Sequence, residues 1–302
     1  MALSAEEAVA RIPHWANANS LKISSLGGGI TNQNFRVDVN GDSFALRIPG
    51  ENTELLGISR EHEYTANLAA GKLGIAPEVV YFIQPEGCLV TRFVTGQQVS
   101  PEEMRQPEQI QDIAAILRRI HSMPDLPGTF SAFRTVEDYS KIALQYKVDF
   151  PNGFDNLIER MHNAEKALNS KSHKIRPCHN DLLNANFLLS NQFYVLDWEY
   201  AGMGDIFFDL ANFSNHHELS DDQNGLLLKS YFEKTTPAQW AHLKIMQVMS
   251  DLREGMWGLV QMGISELDFD FSGYADKFFD RVFANIHNPD WGKWIMEVSN
   301  NE

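Results

Sequence analysis

The chain has 302 residues, 43% hydrophobic and 22% charged, enough for one large two-lobed body or two ordinary domains around a sizeable core. Its 25 Lys+Arg stand against 40 Asp+Glu, and a net charge of −15 repels nucleic acid and anionic lipid while mildly favouring cationic ligands. No apolar run approaches the roughly eighteen residues of a membrane span, the acids in MALSAEEAVARI argue against a signal peptide, and Cys88 and Cys178 make neither a disulfide framework nor a metal cluster, so a reduced, cytoplasmic setting is expected.

In chain order, Ser4-x-x-Glu7 reads as a capping box opening a helix. SLKISSL, NFRVDV and SFALRI are short alternating segments between Gly- and Asn-rich turns, the pattern of an antiparallel meander. Residues 59–72 predict a helix that Leu73–Gly74 closes. PEVVYFI and GCLVTRFV predict two further strands, and a tether follows near 92–99. From Pro101 onward apolar residues recur at helical spacing over 101–123, 135–146, 153–169, 220–233, 237–263 and 272–287. Residues 175–201 interrupt them with two short strands and polar loops. The expected fold class is α+β, with a small antiparallel β-rich N-lobe over 1–95 and a larger, mainly helical C-lobe over 96–302.

The chemistry concentrates in His179-Asn180-Asp181-Leu182-Leu183-Asn184-Ala185-Asn186, followed by Asp197 at the end of the apolar strand YVLD. Phosphoryl transfer from a nucleotide needs one carboxylate on the attacking hydroxyl and hard oxygens to hold Mg²⁺ against the phosphates. Asp181 suits the first task; Asn186 and Asp197 suit the second. H-x-D-x-x-x-x-N with a strand-borne Asp resembles the catalytic loop and metal Asp of the protein-kinase-like fold. A polar turn between strands is the competing explanation of such residues.

Four upstream features fall in the matching order. Leu26-Gly27-Gly28-Gly29-Ile30-Thr31-Asn32 lies between two predicted strands, where a Gly-rich hairpin can lay backbone N–H groups over phosphates. On strand 43–48, Phe44, Leu46 and Ile48 share one face, and Ala45 and Arg47 share the other. Arg47 stands where protein kinases carry a lysine, and a guanidinium can serve phosphate bidentately. Glu61, in the following helix, is preferred as its ion-pair partner, with Glu63 the competitor on another face. The tether comes next.

GGGITNQNF, FALRI, CHNDLLNAN and VLDWEY, with GDIFFDLANF and MWGLVQMGISELDFDFSGYA, together resemble the choline/ethanolamine kinases within the aminoglycoside-phosphotransferase-like group, over roughly residues 20–288. The resemblance implies ATP and Mg²⁺ as cofactors and a small alcohol, a cationic one such as choline or ethanolamine, as substrate. It makes Asp181 the catalytic base and Asn186 and Asp197 the metal ligands. Gly28, Gly29, Thr31 and Asn32 would form the phosphate loop, with Arg47 on phosphate and Glu61 supporting it. The backbone of the tether, with Thr91 and Phe93, would serve adenine, and Ala45 would line that pocket. Tyr200 and Trp257 would wall the substrate by cation–π attraction. Asp209 reads as bonding the catalytic-loop backbone, and Trp198 as packing.

Two departures bear on the acceptor. Many choline kinases carry a glutamate where this chain has His216, and the first tryptophan of the family's paired-tryptophan segment falls at Glu254. His216, Glu218 or Glu254 therefore has to supply the cation-binding role, or the ligand differs. Other small-molecule kinases of this fold, acting on an aminoglycoside, thiamine or a sugar derivative, are the rival reading. A nucleotide-binding pseudokinase is a second rival, but Asp181, Asn186 and Asp197 are all present.

Overall fold

Ser4 accepts from the Glu7 N–H and Glu7 reaches back to the Ser4 N–H, closing the expected capping box over helix α1 (Ala5–Ala10). The computed structural model describes residues 3–27, 32–169 and 175–300, so Gly28, Gly29 and Thr31 of the expected phosphate loop lie outside the described residues. Five strands follow α1: β1 (Leu21–Leu26), β2 (Asn32–Val39), β3 (Asp42–Pro49), β4 (Val79–Ile83) and β5 (Cys88–Arg92), with helix α2 (Arg60–Lys72) between β3 and β4. They form one antiparallel sheet in the order β1-β2-β3-β5-β4, in which Ala45 faces Thr91 and Arg47 faces Leu89.

The alternation along β3 holds. Phe44, Leu46 and Ile48 are buried with Val37, Val90, Ile83 and Trp15 in a core that α1 covers, leaving Arg47 on the other face. The tether beyond β5 runs close against Leu189, and Gly96 is required there. A Cβ at Gly96 would stand 2.7 Å from the Leu189 carbonyl oxygen, so a side chain would force the two segments apart.

The rest of the chain is mainly helical: α3 (Pro101–Met104), α4 (Pro107–Ile120), α5 (Ala132–Gln145), α6 (Phe154–Leu168), α7 (Ile206–His216), α8 (Asp221–Phe232), α9 (Pro237–Ile264), α10 (Phe271–Ile286) and α11 (Trp291–Asn300). Four short strands interrupt it: β6 (Arg176–Cys178), β7 (Phe187–Leu189), β8 (Phe193–Val195) and β9 (Gly202–Gly204). β7 pairs with β8 and β6 with β9, both antiparallel. The 28-residue α9 is buried on all sides from Ile245 to Gln261, and α5, α7, α10 and α11 pack around it.

Three differences from the sequence reading have local causes. The single helix expected over 101–123 is two, because Pro107 has no N–H to continue a helix and instead starts α4. Helix α7 has no one-sided stripe to find: Phe207 to Asn215 are all buried, so its periodicity is hidden. Two compact units result, and the boundary differs from 95/96. One unit runs to Gln98 and takes in Ala185–Ala201; the other comprises Val99–Asn184 and the chain from Gly202 on. Residues 185–201 join the first unit by hydrogen bonds, since Leu189 pairs with Gln97 and the Val195 N–H donates to the Ile75 carbonyl.

Candidate active site

In the first unit the polar residues form one network. Arg47, projecting from β3, pairs with both Glu63 and Asp197. Its helix partner is therefore Glu63, not the expected Glu61. The turn of α2 that faces the sheet carries Glu63 inward, where it is buried, and leaves Glu61 exposed two residues back on another face. Arg60, which the sequence reading passed over, donates to Glu63 Oε2 (2.7 Å), Glu199 Oε2 (3.1 Å) and Asn32 Oδ1 (3.0 Å). Asn32 Nδ2 donates back to Glu199 Oε2 (2.9 Å). Asn32, expected in the phosphate loop, thus has its side chain in this network.

Glu63, Asp197 and Glu199 are three carboxylates against two guanidiniums, so the cluster carries excess negative charge. Asp197 is its accessible member, with a side chain 29% exposed against 2% for Glu63 and 4% for Glu199. Loss of water and the nearby Glu199 charge push Asp197 up to about 6, against the pull of Arg47 and Arg60. The Leu196 N–H donates to the Asn186 carbonyl (2.8 Å), which brings Asn186 alongside Asp197. An amide residue and a carboxylate residue on these neighbouring segments, beside a cluster short of positive charge, are of the hard-oxygen type that suits a divalent cation. Elsewhere in this unit, Thr91 lies on strand β5, between β3 and β4, and the Phe93 N–H is committed to the Ser43 carbonyl (3.0 Å). Tyr200 is half-buried in the turn after Glu199, and the buried Trp198 donates from Nε1 to the Val195 carbonyl (2.9 Å), a packing role as expected.

In the second unit the loop bearing Asp181 is pinned through its main chain. Asp209 accepts from the N–H groups of His179 (2.9 Å) and Asn180 (2.7 Å), and Asn212 Oδ1 from that of Leu182 (2.6 Å). This is the loop-bonding role read for Asp209. His121, absent from that reading, lies with Nε2 3.0 Å from Asp209 Oδ2 and Nδ1 2.7 Å from the Tyr231 hydroxyl. His121, Cys178 and Asp209 are close enough to suggest a metal cluster, but these hydrogen bonds already account for the carboxylate and the ring.

The Asp181 carboxylate accepts from Arg253 Nη1 (3.2 Å), and the same nitrogen pairs with Glu254. Glu254 Oε2 accepts from the Tyr274 hydroxyl (2.6 Å), and His216 Nε2 stands 3.6 Å from Glu254 Oε1. Burial alone would raise Glu254, but Arg253 and His216 outweigh it and hold the carboxyl below its usual range. Burial, with Glu254 beside it, pushes the Tyr274 hydroxyl above its usual range, and Asp181 acts in the same direction. Of the three candidates for the cation-binding acid, Glu254 and His216 therefore meet, whereas Glu218 is exposed and turns towards Arg105. Trp257 packs edge-on against Tyr274 and Phe271, with centroids 5.3 and 5.9 Å away. Tyr274 lies in the quoted C-terminal segment but had no role assigned; its helical spacing from Phe271 and Phe278 marks it only as core.

Asp251, three residues before Glu254 on α9, carries a separate consequence for stability. It accepts from Asn215 (2.9 Å) and Arg281 (3.0 Å), yet burial outweighs both and pushes it up to about 7 from an ordinary 3.8. A carboxyl raised in the folded state stabilises the fold at low pH and loses that contribution as pH climbs through its folded value. Melting temperature should therefore fall between about pH 4 and 7 through this group, and Asp251→Asn should flatten that limb. An unchanged slope in the Asn variant would assign the effect elsewhere.

An antiparallel sheet unit carrying Arg47 and Asp197, and a helical unit carrying the HxD aspartate, define a phosphotransferase of the protein-kinase-like fold, which the aminoglycoside phosphotransferases share. A model of the choline/ethanolamine kinase family matches residues 23–226. Protein LicA of Haemophilus influenzae is 30% identical over 283 residues, covering 89% of this chain and 81% of its own length. Ethanolamine kinase 1 of Mus musculus is 25% identical over 314 residues, covering 90% of this chain and 85% of its own. The crystal structure of a choline/ethanolamine kinase family protein from Mesorhizobium loti matches with a TM-score of 0.83 at 31% identity, covering 96% of each chain. The chain belongs to the choline/ethanolamine kinase family and is a kinase with an alcohol as acceptor.

Proposed function

We propose that this kinase transfers the γ-phosphate of ATP, with Mg²⁺, to the hydroxyl of a small amino alcohol bearing one positive charge, choline or ethanolamine. The observation that carries the reading is the buried run Asp181–Arg253–Glu254–Tyr274, which joins the HxD aspartate to aromatic rings. Asp181, Glu254 and Arg253 sum to one negative charge, the complement of a monocation. Rings of Tyr274 and Trp257 suit an ammonium head by cation–π attraction, with Glu254 supplying the charge. Asp181 would accept the proton of the acceptor hydroxyl as it attacks.

In the first unit, Arg47 would bind phosphate in exchange for Asp197, with Glu63 as the buried anchor that keeps the guanidinium aimed. Asn186 and Asp197 would hold Mg²⁺, which when bound neutralises charge on the phosphates. No covalent intermediate is required, since direct in-line transfer needs no protein nucleophile.

The test is an ADP-release assay across choline, ethanolamine, thiamine, several aminoglycosides and 3,3-dimethylbutan-1-ol, the uncharged isostere of choline. A desolvated cation–π contact contributes up to about 2 kcal/mol, so the isostere should show kcat/KM roughly tenfold or more below choline's. Equal efficiency with the isostere would sink cation recognition. Turnover of thiamine or an aminoglycoside in preference to both amines would overturn the acceptor while leaving the kinase class intact.

A further inference from the structure

We infer that Arg253 is a positioning residue for the phosphoryl-acceptor step, holding the Asp181 carboxylate in line through a guanidinium that Glu254 anchors from the other side. The inference rests on the reading of Asp181 as the base. Arg253 is among the most buried large side chains of the described residues, its side chain 2% exposed, in a chain that carries far more acid than base. Arginine is almost never buried to that degree unless it is paired. Its place in the middle of α9, buried on all sides, leaves the guanidinium little freedom.

The geometry gives this arginine more than a structural pairing with Glu254. The bonds from Asp209 and Asn212 fix the main chain of the catalytic loop, whereas Arg253 Nη1 reaches the Asp181 carboxylate itself. That single nitrogen serves Asp181 Oδ1 and Glu254 Oε1 together, so it sets two buried carboxylates side by side. Without the cation between them, like charges so close disfavour joint ionisation and one would take up a proton. A base that spends part of its time protonated, or turned from the acceptor hydroxyl, transfers more slowly. Among the described residues, Arg253 from α9 bonds the Asp181 carboxylate, the His179 ring accepts from the Asp181 N–H, and Tyr274 from α10 lies near enough to feel its charge, while Glu254 and, behind it, His216 from α7 stand on the far side of the arginine and Asp209 holds the loop's main chain. Among them Arg253 is the permanent cation. The two carboxylates are also unequal, because Tyr274 and His216 secure Glu254 independently of the arginine.

The opposing signs around Asp181 give the test. Profiles of kcat against pH, at saturating nucleotide and acceptor, would be compared for the wild type, Arg253→Met, Arg253→Lys, Glu254→Gln, the Met/Gln double variant and Asp181→Asn, each with a thermal melt. Arg253→Met should lower kcat about tenfold or more, leave the nucleotide KM within about twofold, and move the acid limb up by about one pH unit. Arg253→Lys should recover part of both losses. Glu254→Gln removes a like charge and should leave the acid limb in place or move it down, and the double variant should fall back towards the wild type. A merely structural pair would give Arg253→Met and Glu254→Gln the same direction of change, and that outcome overturns the inference. So does an Arg253→Met profile that overlays the wild type while Asp181→Asn is inactive, which leaves the base assignment standing. Near-normal turnover of Asp181→Asn would overturn the base assignment and the inference together. Should Arg253→Met not fold, opposite shifts in Arg253→Lys and Glu254→Gln support the inference and coincident ones overturn it.

Discussion

Asp181→Asn is expected to lower kcat by a factor of about 10² or more while nucleotide affinity stays nearly constant, because general-base catalysis typically contributes ~10²–10⁴. The substitution is close to isosteric, and an Asn oxygen can still accept from Arg253, so the buried contact at 3.2 Å need not be lost. The loop should keep its place as well, since Asp209 and Asn212 hold its main chain rather than this side chain. What the amide lacks is basicity. Single-turnover measurements with saturating Mg-ATP, alongside nucleotide titrations, separate the two quantities, and near-normal turnover would remove Asp181 from the role of base.

Asp197→Ala should abolish measurable turnover, on the order of 10³-fold or more, since metal stabilisation of developing charge is worth several kcal/mol. Binding of Mg-nucleotide should weaken far more than binding of nucleotide without metal. Arg47 would keep Glu63 as a partner, so the loss would not leave a bare buried cation. Asp197 is also the accessible carboxylate of its cluster, which makes removal milder for folding than for binding. Calorimetric titrations with and without magnesium decide the matter: equal losses in both would mean that Asp197 is not a metal ligand.

Residues that stand out by type and order along the chain are legible in the sequence. The HNDLLNAN string, the Asp ending YVLD and the alternation of β3 each name their residues without knowledge of depth. Glu61 and Glu63 show where such reading stops. Both lie in the first turn of α2, and the choice between them depends on which side of the helix meets the sheet. Arg60 and Glu199 were hidden for a related reason: they are far apart in sequence, and neither sits in a motif that predicts the other. Arg253 reads as one polar residue in LREGMW, and only burial on every side of α9 turns it into a partner for a distant carboxylate. Helix α7 was obscured because burial all round erases the amphipathic stripe on which periodicity depends.

The seventeen-residue excursion of Ala185–Ala201 into the first unit bears on how the chain is made. A ribosome releases Arg47, Arg60 and Glu63 early, but Asp197 and Glu199, which complete their network, follow only after the whole of 99–184 has been synthesised. At ~5–20 residues per second that interval is several seconds or more, long compared with hairpin formation in microseconds. The N-terminal sheet can pair its strands meanwhile, yet its two inward guanidiniums have Glu63 as their only acidic partner within the network. Completion of the first-made unit thus waits on the segment that carries Asp197 and Glu199, and the nascent chain carries an unfinished polar interior from Glu63 to Glu199, nearly half of its synthesis.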